Sequence, residues 1–126
     1  MLADAPLTTI LPVVDLARAR AFYEQKLGLR GGKPKADGKY EYPIGNGTLA
    51  LFQRGSPTKA DHTAISFAVR DIGKAIGQLE SRGVKFHDYD LPGLKTVDHV
   101  CVLGSEKAAW FSDPDGNILC IHEDLS

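Results

Sequence analysis

The chain states one ordered set of folding signals twice. Thr8-Thr9-Ile10-Leu11-Pro12-Val13-Val14 has strand composition, Asp15 after it is an N-cap residue, and Leu16, Ala19, Tyr23 and Leu27 fall near helical spacing until Gly28 stops the helix. The second copy begins with His62-Thr63-Ala64-Ile65-Ser66-Phe67-Ala68-Val69, places Asp71 at the cap, spaces Ile72, Ala75, Ile76 and Leu79 along a helix, and ends it at Gly83. Superposing Asp15-Leu16 on Asp71-Ile72 brings Gly28 within one position of Gly83. Such a duplication restricts the fold to two copies of one α+β unit, in the order strand, helix, strand, strand, strand.

Each copy closes with a hairpin. In the first, Lys39 to Ile44 and Thr48 to Gln53 flank Gly45-Asn46-Gly47, whose residues tolerate positive φ. In the second, Trp110-Phe111 and Ile118 to His122 flank Asp113-Pro114-Asp115-Gly116, the strongest turn signal in the chain. Gly31 to Gly38 reads as a polar loop. The segment His87 to Thr96 is an insertion, read as a loop or lid over one end of the sheet, and Val97 to Leu103 resumes as a strand. The expected limits are about 7–54 for module one, 55–61 for a polar link and 62–124 for module two, within a single domain over 1–126.

Bulk properties exclude several partners. With 15 Lys and Arg against 16 Asp and Glu, scattered rather than clustered, nucleic acid and anionic membrane surfaces are poor partners. No apolar run reaches bilayer-spanning length, and the first residues lack the pattern of a signal peptide, so a cytoplasmic location is expected. In that compartment Cys101 and Cys120 are expected as reduced, buried, small apolar residues.

The paired βαβββ plan, with Val13-Val14-Asp15-Leu16 and Val69-Arg70-Asp71-Ile72 opening the helices and Asp113-Pro114-Asp115-Gly116-Asn117 before the last strand, resembles the vicinal oxygen chelate superfamily. That group includes glyoxalase I, extradiol dioxygenases, fosfomycin resistance proteins and bleomycin-binding proteins. The resemblance runs from about Thr8 to Glu123. It implies two modules whose sheets form an incomplete β-barrel with the helices outside and a pocket inside, and a homodimer in which two chains complete each cleft. In metal-dependent members, His, Glu or Gln side chains on the first and last strands of each module hold a divalent ion. The matching positions here are Thr8, Ala50, Ala64 and Cys120, which offer one potential ligand, a thiol. A displaced cluster of His62, Cys120 and His122, with His99 or Glu41 as further ligands, is the alternative.

Alternation along the strands assigns the inward faces. Thr8, Ile10 and Pro12 come from the first strand, Ala50 and Phe52 from the hairpin, Ala64, Ser66 and Ala68 from the fifth, and Ile118, Cys120 and His122 from the last. This small, largely apolar lining suits a flat or amphipathic organic molecule, with Tyr40, Tyr42 and Trp110 as stacking walls. Either Trp110 or Phe111 must point inward. The expected function is therefore metal-independent binding of a small hydrophobic or aromatic compound, with no cofactor. The alternative is a lyase, isomerase or dioxygenase using a displaced metal or acid-base residues such as His62, His122, Glu41 or Asp98.

Overall fold

The computed structural model describes residues 1–125. Contacts divide them into two compact units, Met1–Lys59 completed by Pro114–Gly116, and Ala60–Asp113 with the chain from Asn117 on.

The first unit contains β1 (Thr8–Val13), α1 (Leu16–Ala21), β2 (Lys33–Pro34), β3 (Tyr40–Ile44) and β4 (Gly47–Gln53). Its sheet has the order β1-β4-β3-β2, with β1 parallel to β4 and the remaining pairs antiparallel. The Asp15 carboxylate accepts the Arg18 backbone N–H at 3.0 Å, as an N-cap must when first-turn amides have no carbonyl partner. The helix then loosens into a π-turn over Phe22–Lys26, and Gly28 leaves it at φ 77°. Leu11, Val13, Leu49 and Leu51 face the helix and are buried with Ala19, Phe22 and Tyr23.

Asp115, from the late Asp-Pro-Asp-Gly turn, is part of this unit's interior. Its Oδ1 accepts the Val14 N–H at 2.8 Å and Nη2 of Arg18 at 3.0 Å. The Arg18 side chain is 53% exposed while that of Asp115 is fully covered, so solvent screens the ion pair and the bond from Val14 matters more. Asp115→Ala is expected to cost about 1–3 kcal/mol, measured by urea unfolding, because the Val14 amide loses its acceptor. A cost below about 0.5 kcal/mol would show that the turn is not held this way.

The second unit contains β5 (Thr63–Ala68), α2 (Ile72–Ser81), β6 (Asp90–Leu91), β7 (Leu94–Lys95), β8 (Cys101–Leu103), β9 (Glu106–Ser112) and β10 (Ile118–Asp124). Its main sheet has the order β5-β10-β9-β8, again with one parallel pair, β5 with β10. Asp71 caps α2 through Lys74 N at 3.0 Å, and Glu123 accepts the Ile72 N–H at 2.8 Å. Leu119, Ile121, Ala109 and Phe111 are buried on the α2 side with Ile72 and Ile76. Each unit is thus a four-stranded mixed sheet with one helix against one face, an α+β arrangement, and among the described residues no helix is long and apolar enough to cross a membrane.

Three local expectations change. The polar loop 31–38 contains the two-residue strand β2, which pairs with β3 although it has no apolar pattern of its own. Val97 to Leu103 is not one strand, because Asp98 and His99 have φ of 52° and 72° and turn the chain between Val97 and Val100. Only Cys101–Leu103 continues as β8. Within the expected lid, β6 and β7 form a small hairpin through Gly93 at φ 78°.

Candidate functional site

The face of the second sheet away from α2 carries a row of side chains set by strand register. Cys120 lies opposite Ser66 of β5 and Trp110 of β9, and in the next row His122 lies opposite Ala68 and Ala108. Partners across a ladder share a face, so Ser66, Cys120 and Trp110 are neighbours. Trp110 is the inward-pointing member of the Trp110-Phe111 pair. It is half-buried, while Phe111 is buried on the helix side.

Polar contacts hold this row in place. Ser66 Oγ and His122 Nδ1 are 2.6 Å apart, and the Trp110 indole N–H donates to Thr63 Oγ1 at 3.2 Å. The Tyr89 ring meets Trp110 edge-on, with centroids 5.6 Å apart at 86°. His87 Nε2 lies 2.8 Å from Ser112 Oγ, and the His87 backbone N–H donates to the Trp110 carbonyl at 2.8 Å. Burial pushes the Cys120 thiol above its ordinary range, so it remains an uncharged thiol at neutral pH, which suits a packing surface better than a nucleophile. Among the described residues no carboxylate hydrogen-bonds to His122, so the Ser66–His122 pair lacks the third member that orients a catalytic base.

In the first unit, Thr8, Ile10 and Pro12 of β1 align with Thr48, Ala50 and Phe52 of β4 on the face away from α1. Ala50 is buried, Phe52 half-buried, and Ile10 49% exposed. Glu41 lies opposite Ala50 and joins this face, with Lys35 Nζ 3.8 Å from its carboxylate. Tyr40 and Tyr42 do not. They lie opposite Leu51 and Leu49, so both rings are on the helix side. There Tyr42 donates to Glu24 Oε2 at 2.8 Å, Arg20 Nε donates to the same oxygen at 3.0 Å, and the Arg20 guanidinium sits 4.0 Å from the Tyr40 ring centre. The Tyr42 hydroxyl holds the Glu24 carboxyl below its usual range, and burial raises the phenol. Their role as stacking walls of the inner face is thereby corrected: they dock the helix.

The displaced metal cluster also fails to assemble. Thr63 lies opposite Ile118 and Ile65 opposite Leu119, so the strand bulges at Ala64 and its alternation is broken there. The regular extension that would carry His62 onto the Cys120 face is lost, and His62 is exposed. His99 is engaged elsewhere, by Asp88 and Glu80. Among the described residues, no three His, Cys, Asp or Glu side chains converge as a metal's ligands would. The positions matching the chelating sites present a hydroxyl, two methyls and a protonated thiol, a donor set that does not fit a divalent ion.

Tyr89, Thr63, His87 and Ser112 were not among the residues singled out from sequence. Only the turn-rich character of 87–96 pointed towards Tyr89, and its contact with Trp110 depends on a bridge between Phe86 and Phe111 that no local pattern encodes.

The Glyoxalase/Bleomycin resistance protein/Dioxygenase superfamily pattern matches residues 6–121, and the chain belongs to that superfamily. A glyoxalase family protein from Bacillus anthracis shares the fold, at 20% identity and a TM-score of 0.75 over 96% of this chain and 95% of that one. A superfamily member from Sphaerobacter thermophilus does so at 24% identity and a TM-score of 0.75, over 98% of this chain and 100% of that one. TnmS3, an antibiotic binding protein from a Streptomyces species, aligns at 20% identity and a TM-score of 0.64, covering 98% of both chains. No protein of curated function matches the sequence.

Proposed function

We propose that the chain is a metal-independent small-molecule-binding protein of the glyoxalase and bleomycin resistance type, taking an aromatic or amphipathic compound on the face that carries Trp110. The observation that carries this reading is the row Ser66, Cys120 and Trp110, which sets a half-buried indole beside small side chains and the hydrogen-bonded Ser66–His122 pair. Indole and tyrosine rings give contact area for a flat molecule, and a hydroxyl and an imidazole supply the few directional bonds that fix its orientation. A structural neighbour of the same fold binds an antibiotic, in keeping with this reading. The poor donor set at the chelating positions supports independence from metal. By resemblance to the family the protein acts as a homodimer.

A thermal-shift screen against divalent metals, aromatic antibiotics and glutathione conjugates tests the proposal, since a ligand that binds only the folded state raises its stability by about 2.7 kcal/mol at a hundredfold excess over Kd. An aromatic compound is expected to give the largest shift, with the metal content of protein purified without chelator below stoichiometric. Stoichiometric iron, zinc, nickel or manganese would replace this reading with an enzyme. Cys120→Ala is expected to leave folding and metal content unchanged and to alter affinity by roughly fivefold or less, corresponding to about 1 kcal/mol of lost contact. Calorimetric titration with the best compound from the screen checks it.

A further inference from the structure

Residues 87–100 cross the edge of the second unit and return to it. Tyr89 N–H donates to Thr96 Oγ1 and Thr96 N–H to the Tyr89 carbonyl, both at 2.9 Å, which ties the two arms of the β6–β7 hairpin together. One arm rests on the candidate site through Tyr89 against Trp110. The other ends in the turn between Val97 and Val100, where two consecutive non-glycine residues, Asp98 and His99, occupy left-handed backbone. That conformation costs on the order of 1 kcal/mol or more per residue and persists where surrounding contacts hold it.

Paired backbone bonds between Val97 and Val100 close the turn, and the side-chain contacts that dock it converge on the His99 ring. Nδ1 is 2.9 Å from Asp88 Oδ1, Nε2 is 3.2 Å from Glu80 Oε2 on α2, and the ring stacks on Phe86 with centroids 5.8 Å apart at 25°. Neutral imidazole has one N–H and one lone pair, so only imidazolium can donate to both carboxylates. The neutral ring would turn its lone pair on one of them.

We propose that residues 87–100 are a lid over the Trp110 face, and that His99, gripped between Asp88 and Glu80, is a pH-dependent latch that holds the lid shut. What the lid covers rests on the binding role proposed above; the latch does not. The charged groups facing the ring are Asp88 from the lid and Glu80 from α2, and His87, beyond Asp88, adds to the field at that carboxylate. The Asp88 bond holds the His99 proton above the ordinary histidine range, and Asp88 in turn is held below the usual carboxylate range by the bond from His99. A raised histidine pKa gives a contribution that is complete below the unfolded value and is lost as pH rises through the folded one. A depressed carboxylate pKa gives one that is lost as pH falls through its folded value. The latch is therefore closed between these two limits and releases as pH rises through the raised His99 value.

Trp110 is the single tryptophan of the chain, so its fluorescence reports the Tyr89 contact directly and without a ligand. A titration from about pH 5.5 to 9.5 is expected to show one step with its midpoint above that of free imidazole. Amide exchange in 88–98, corrected for its intrinsic pH dependence, is expected to accelerate across the step by about tenfold for each pH unit of retained protonation. His99→Asn, which tolerates the left-handed backbone, should abolish the step and leave the lid exchanging fast throughout. Glu80→Gln, on the exposed face of α2, should move the midpoint down while the lid still closes. His87→Gln and His122→Gln should keep the step. A native protein without the step, a step that survives His99→Asn, or one that disappears with His87→Gln or His122→Gln would each overturn the latch. None of these outcomes depends on finding a ligand, so the latch and the binding role can fail separately.

Discussion

Leu119→Ala is expected to cost about 2–5 kcal/mol and to lower the melting temperature by roughly 10–20 °C. Leu119 has no exposed surface. It lies opposite Phe111 on one side and Ile65 on the other, both on the α2 face. Removing three heavy atoms there leaves a void that close-packed neighbours fill only in part. Cys120, one residue further along β10, faces the other way, and its truncation is expected to cost less. Urea unfolding of the two variants side by side is therefore a direct measurement of which face of β10 holds the fold. If Leu119→Ala costs less than about 1 kcal/mol, the register of β10 against β9 and β5 is wrong, and the site row built on that register goes with it.

The second large effect concerns binding. Trp110→Ala is expected to weaken the compound selected by the thermal-shift screen by about thirtyfold, or about 2 kcal/mol, the contact area of half an indole converted at about 25 cal/mol/Å². The fold should survive, because the indole is half-buried and its N–H bond to Thr63 lies at an exposed position. Trp110→Phe should restore part of the affinity, since a smaller ring retains a stacking face. Isothermal titration with both variants gives the answer, and an affinity unchanged in Trp110→Ala would move the binding site away from this sheet.

Much of the architecture is encoded locally, and there the sequence reading and the structure coincide. Asp15 and Asp71 cap the two helices as their neighbours predict, and Gly28 and Gly83 leave them at positive φ. Alternation on β10 assigns Leu119 and Ile121 to the helix face and Cys120 and His122 to the other, because a run of seven residues with a buried side leaves one register. The exceptions are non-local. Tyr40-Glu41-Tyr42 alternates as cleanly in either orientation, and only Glu24 and Arg20, from a different element, draw the tyrosines to the helix side. The bulge at Ala64 carries no glycine or proline to announce it, yet it cancels the alignment on which the His62 cluster depends. Asp98-His99 lacks the glycine that marks most tight hairpins, and its turn is stabilised by carboxylates at positions 80 and 88.

The division of labour along β10 bears on how the face proposed for binding can change. Every second residue answers to the hydrophobic interior and is costly to replace, whereas Ser66 and Ala68 on the partner strand are small, exposed and stand beside the imidazole without supporting the helix. Enlarging or repolarising these positions reshapes the recognition surface while leaving the stability reserve largely untouched. A lineage, or an engineer, can thus alter the face proposed for binding by changing one side of a sheet at a time.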